Sequence, residues 1–168
     1  MKINNQITAD IQFIGSCIQR TKISNNIIRL DDDAVREFGI DIDVPEIERN
    51  ESLALIGIVN LGIIVNVKDK KNNKKTKIDI LIQGCFSSTN PELSEDKFKA
   101  MLYINGGSAL YSMARSFICN ISANIYESGK LLLPMINIIE FIKEKIKEEK
   151  QAKPKAASEQ LDKTTKNN

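Results

Sequence analysis

Residues able to carry chemistry are sparse and badly spaced for it. The 168-residue chain contains no histidine, which removes the usual general base, the usual triad partner and the commonest metal ligand together. Cys17, Cys85 and Cys119 lie far apart with no CxxC pair, so they read as small buried apolar residues rather than as zinc ligands or a redox dithiol. Asp31, Asp32 and Asp33 are contiguous, whereas a calcium loop spaces its carboxylates as D-x-D-x-D-G, and the triplet reads as part of a solvated loop over 25–39. There is no glycine-rich phosphate loop and no G-x-S-x-G elbow. The sequence predicts a protein that is not an enzyme and needs no metal and no cofactor.

Charge is nearly balanced. Lys and Arg number 24 against 22 Asp and Glu, for a net charge of +2, so any partner must be chosen by a local patch. Lys68, Lys70, Lys71, Lys74, Lys75 and Lys77 form the densest such patch. No aromatic residue is interleaved for base stacking, so they read as a solvated, aggregation-resistant hairpin tip. Nucleic acid is not the expected partner, and a nucleic-acid-associated regulator using this tip stands as the alternative. The N-terminus lacks a signal-like apolar stretch and nowhere do 18 apolar residues run together, which predicts a cytoplasmic protein without membrane insertion.

The elements are read from periodicity. Residues 7–17 alternate as Ile7, Ala9, Ile11, Phe13, Gly15 and Cys17 against mostly polar neighbours, the pattern of a half-buried strand. Phe38, Ile40, Ile42 and Val44 share one face of a shorter strand that Pro45 interrupts, plausible at a sheet edge. The run SLALIGIVNLGIIVNVK over 52–68 is a long strand, and 76–86, with Ile78, Ile80, Ile82 and Phe86 on one face, is a fourth. Asn72-Asn73 between these two tolerates the positive φ of a tight turn, so they should pair antiparallel.

Helices follow the strands. Ser94 starts a short one over 94–102. After Gly106-Gly107, with Ser108 as N-cap, Leu110, Met113, Ala114, Phe117, Ile118, Ile121 and Ile125 predict a single apolar helix face ending at a left-handed Gly129. Asn137 caps a last helix carrying Ile138, Ile139, Phe141, Ile142 and Ile146 inward. Residues 151–168 are too polar to offset their ordering entropy and read as a disordered tail behind a domain spanning 1–150. Strands first and helices after give an α+β fold, a four-stranded antiparallel sheet with two main helices packed on it.

Between the last two helices lies YESGKLLLPMIN (126–137), far too apolar for a surface connection. Either it is buried against the rest of the chain or it is a contact surface, each exposed leucine then offering on the order of 1.5–3 kcal/mol on burial.

The segment 107–141, GSALYSMARSFICNISANIYESGKLLLPMINIIEF, resembles the signature region of the SecB family of protein-export chaperones. Tyr111, Ala114 and Arg115 stand at its aromatic-Ala-Arg element, and Leu131 to Leu133, Pro134, Ile136 and Asn137 stand in its loop and cap. The likeness extends over roughly residues 5–145. It implies an ATP-independent holdase that binds unfolded preproteins in apolar grooves and keeps them competent for translocation. It also implies dimers formed through the first strand and first long helix, paired into a dimer of dimers. On that likeness the groove is lined by Ile40, Ile42, Val44, Tyr126, Leu131, Leu133, Met135, Ile136 and Phe141. Arg115 reads as a structural ion-pair partner. Delivery to the SecA translocase motor is weakly supported. The family presents carboxylates on its exposed sheet face, whereas here Lys22 and Asn26 replace them and only Asp79 keeps the sign. Relatives devoted to antitoxins make a chaperone dedicated to one such client the alternative within the family.

Overall fold

The computed structural model describes residues 10–50 and 54–147. One antiparallel sheet is built from β1 (Gln12–Asn25), β2 (Val35–Asp43), β3 (Ile47–Arg49), β4 (Leu55–Lys68) and β5 (Lys75–Ser88). Its order is β1-β5-β4-β2, with β3 continuing along the same edge of β4 that β2 occupies. Pro45 explains that break: it has no N–H for the ladder, β2 stops at Asp43, and pairing with β4 resumes at Ile47 opposite Gly57. The α+β architecture expected from the sequence is therefore present, with a fifth, three-residue strand that was too short to read.

Strict alternation sorts β4 and β5 into two faces. Leu55, Val59, Leu61, Ile63, Val65 and Val67 of β4, and Ile78, Ile80, Ile82 and Phe86 of β5, are buried on the face that carries the helices. The β4–β5 turn closes as the Asn-Asn pair predicts, with Asn73 at φ 54°. Asp69 completes the turn by accepting from the backbone of Lys71 at 2.8 Å and from the Asn72 side chain at 3.0 Å.

Helix α1 (Glu95–Met101) begins at Ser94, whose hydroxyl accepts from the Lys97 amide, with Glu95 and Asp96 set against the positive end of the helix dipole. Leu93 and Phe98 occupy the two hydrophobic-staple positions and both are buried. A five-residue π turn, Leu102–Gly106, then leads without a break into α2 (Gly107–Ile125). Here the structure corrects the sequence reading. Ser108 is not an N-cap, since its hydroxyl bonds back to the Ile104 carbonyl, and Gly106-Gly107 does not end a helix. A Cβ on Gly106 would come within 3.0 Å of Val59 Cγ2 and 3.2 Å of Phe86, so glycine is there to let the helix lie against the sheet. The buried positions Phe98, Leu102, Gly106, Leu110, Ala114, Ile118 and Ser122 recur every four residues. An ideal helix drifts roughly 40° per such step, and the wide π turn takes up part of the drift.

Four further expectations are corrected. The first strand is Gln12–Asn25 rather than 7–17, and residues 7–9 lie outside the described residues. The polar loop after it is anchored, because Ile27, Leu30 and Ala34 are buried. Cys17 is exposed, and Cys85 and Cys119 only half-buried, so none is a core residue. Gly129 takes its left-handed φ of 82° away from the helix end: α2 is closed by Tyr126 in extended conformation, and Gly129 lies against Leu30. The chain divides into two compact units at Pro134/Met135. In the second, α3 (138–147) is capped by Asn137, whose side chain accepts from the amides of Ile139 and Glu140. The expected tail, 151–168, lies outside the described residues.

Candidate client-binding surface

The apolar segment after α2 is held down by polar groups of α2 itself. Tyr126 leaves the helix extended; the Glu127 amide then donates to the Ile28 carbonyl at 2.8 Å, and the Leu30 amide to the Ser128 carbonyl at 3.1 Å. Arg29 bonds the Glu127 carboxylate through two nitrogens at 3.1 Å, a pair too exposed to contribute much. Further on, the Leu131 amide donates to Ser122 Oγ at 2.8 Å, Arg115 Nε donates to the Leu133 carbonyl at 3.1 Å, and the Tyr111 hydroxyl donates to the Pro134 carbonyl at 2.7 Å. Burying a loop normally strands its backbone groups. Here one face of α2 satisfies three of them, which lets Leu131 and Leu133 be fully buried while Leu132 stays 60% exposed. Arg115 is structural, as expected, but through a carbonyl rather than an ion pair.

Burial also sets the chemistry of two phenols. The Tyr111 hydroxyl is pushed above its ordinary value by burial, a shift the nearby Arg115 charge partly opposes. Tyr126 is pushed up by burial too, against the opposing influence of Thr76 and Arg36. Its hydroxyl has no hydrogen-bond partner among the described residues, while Thr76 donates its own to Asn25 Oδ1.

The nine groove residues expected from the family likeness separate into three sets. Ile42, Val44, Tyr126, Leu131 and Leu133 are packed inside the first unit. Ile40 is half-buried on β2, beside Phe38, which shares its face and its partial exposure. Met135, Ile136 and Phe141 belong to the second unit, where Met135 is 80% exposed. The exposed apolar surface of the first unit lies elsewhere as well. Phe13, Ile18 and Ile23 of edge strand β1, on the helix side, are all more than 40% exposed. Ser16, between Phe13 and Ile18 on the same strand, reaches Met113 of α2, its Oγ donating to the sulfur at 3.6 Å, and Phe117 and Ile121 continue the Met113 row along α2 half-buried. The even spacing of apolar residues on α2 hid this division into an inner stripe and a flank. A sequence signal did exist: Tyr111 and Ser122 at i and i+11 mark the inner stripe, leaving Met113, Phe117 and Ile121 as a separate i, i+4, i+8 row.

The opposite sheet face is open and mixed: Ile64 is 40% exposed on it and Ile56, Ile58 and Leu81 are half-buried, with polar groups between them. Asp79, the expected motor-docking residue, is bonded by Arg20 from β1, Nη2 to Oδ1 at 2.9 Å. Gln19, Gln83 and Asn60 form an amide ladder across three strands at 3.0 and 3.1 Å. Among the described residues no group of three or more metal-ligating side chains occurs, and no helix is long and apolar enough to cross a membrane.

No protein-family model matches the chain, and no curated protein matches it by sequence. Comparison of folds does give a match: the Mycobacterium tuberculosis SecB-like chaperone Rv1957, solved with a ChAD peptide from the HigA1 antitoxin, superposes with a TM-score of 0.58. The alignment covers 76% of this chain and 91% of that one at 12% identity. The chain has the SecB-like fold. A Streptococcus agalactiae protein of unknown function aligns more loosely, with a TM-score of 0.43 and 7% identity over 74% of this chain and 97% of its own.

Proposed function

We propose that this SecB-like chain is an ATP-independent holdase that binds non-native polypeptides through exposed apolar surface. The observation that carries the reading is apolar surface left open on a SecB-like fold whose sequence offers no histidine for catalysis. On the first unit the client contacts are Phe38, Ile40 and Leu132, and the second unit by itself offers Met135, Ile136 and Phe141; flexible Met and Leu side chains suit weakly selective binding. Leu131, Leu133, Ile42, Val44 and Tyr126 are buried core of the first unit and leave client contact to the exposed residues. Phe13, Ile18, Ile23 and Met113 form the homodimer contact, completing an otherwise open β1 edge, and dimers pair further into a tetramer in the cytoplasm.

Between a general export role and a dedicated client, the dedicated client is favoured. The fold neighbour was solved with an antitoxin peptide, and Asp79, the carboxylate left for a translocase motor, is already engaged by Arg20. Light scattering of a chemically unfolded protein tests the holdase reading: suppression at stoichiometric ratios is expected, with loss in the Phe38→Ser, Leu132→Ser, Met135→Ser variant at unchanged circular dichroism. Unchanged aggregation in the presence of the wild-type chain refutes it. Isolation of the chain with preproteins and the motor, rather than with one dominant partner, would decide for general export.

A further inference from the structure

The open sheet face is charged in a way that folding does not explain. Lys68 and Lys75 are the last ladder pair of β4 and β5 and stand directly opposite each other, an arrangement that destabilises a sheet. By strand alternation and register, Lys77 of β5 and Lys22 of β1 project on the same face. All four are exposed, as are Lys70 and Lys74 in the adjoining turn. Lys71, by contrast, is neutralised by Asp31 at 2.8 Å. Two shallow depressions lie between these lysines: one of about 320 Å³ against Lys68, Lys75, Lys77, Asn66 and Glu37, the other of about 280 Å³ against Lys22, Ser24, Lys77 and Asp79. Lys77 lines both, so the two depressions are neighbours on one lysine-lined end of the sheet, over β4 and β5 in the first and β1 and β5 in the second.

We propose that this lysine-lined end of the sheet is a docking surface for an acidic polypeptide segment, separate from the apolar surface and independent of the chaperone reading. Charge complementarity selects an acidic partner. The Glu37 carboxylate favours polypeptide over nucleic acid: it can accept backbone N–H groups, which a peptide offers and a phosphodiester lacks. Among the described residues no guanidinium and no aromatic side chain lines either depression, and the neighbouring Arg20 is committed to Asp79.

The test is fluorescence anisotropy of a labelled Glu/Ser-rich peptide with the full chain at two salt concentrations, beside a duplex oligonucleotide and anionic phospholipid vesicles. Salt-sensitive binding of the peptide is expected, weakening about two- to five-fold in each of Lys68→Glu, Lys75→Glu and Lys77→Glu. Lys68→Glu also separates docking from solvation, since it creates a cross-strand ion pair: thermal stability should rise slightly while peptide binding falls. Tighter binding of the duplex or the vesicles than of the peptide overturns the assignment, as does no peptide binding at low salt. Peptide affinity unchanged in all three variants overturns it too.

Discussion

Ser122 is where the fate of the LLLPMI segment can be measured. Its side chain is fully buried, and its hydroxyl both donates to the Cys119 carbonyl and accepts from the Leu131 amide. In Ser122→Ala the amide is left buried with no acceptor, at a cost of about 1–3 kcal/mol. For a chain of this size that is a fall in Tm of about 2–12 °C. Ser112 on the same helix makes a comparable bond, to the Ser108 carbonyl, but is exposed; Ser112→Ala should stay within about 0.5 kcal/mol of wild type. Urea denaturation followed by circular dichroism, at one fixed protein concentration to hold association constant, gives both values. Amide exchange localises the effect, because Leu131 should lose protection in Ser122→Ala while the strands keep theirs. Equal stability of the two alanine variants, or an unprotected Leu131 amide in the wild-type chain, would refute the claim that α2 pins this segment.

Gly84→Ala should destabilise by about 1–3 kcal/mol in the same denaturation assay, because its Cβ would lie 2.8 Å from Leu110 Cδ2, a side chain with no exposed surface to retreat into. Toward acid, the Asp69 carboxylate, held below its ordinary value by the Asn72 side chain and the Lys71 amide, contributes stability that is present above its unfolded value of 3.8 and lost as pH falls through its folded value. Asp69→Ala should flatten that part of the stability profile. Toward alkali the sign reverses: Tyr111 and Tyr126 are raised above 10.0, so their contribution is full below that pH and is lost as pH rises through the folded values. Phenolate absorbance should show two tyrosines ionising late, and Tyr126→Phe should remove one of them.

In β1 a bulge between Phe13 and Gly15 breaks the alternation read over 7–17. Strand alternation in β2, β4 and β5, the Pro45 interruption, the Asn72-Asn73 turn and the Ser94 and Asn137 caps were legible in the chain, because each depends on a residue and its near neighbours. Gly106-Gly107 misled for the same reason. Locally, glycine disfavours helix and Ser108 behind it suits a cap, but Val59 and Phe86 of the sheet leave no room for a side chain there, and helix continues. The loop over 26–34 looked solvated by composition, yet Ile27, Leu30 and Ala34 are buried and its backbone bonds to the segment after α2. The apolar residues of α2 looked like one face, and only the position of the sheet divides them into a buried stripe and the Met113 flank.

The sequence by itself determined the order of its elements and the presence of one connection too apolar for open solvent. Those follow from residue type and period, which survive without knowing what packs on what. Which leucines of that connection turn inward was decided by the tertiary structure alone. Leu131 and Leu133 are buried because Ser122, Arg115 and Tyr111 reach across to satisfy the backbone around them, and Leu132 between them, with no such constraint, faces out.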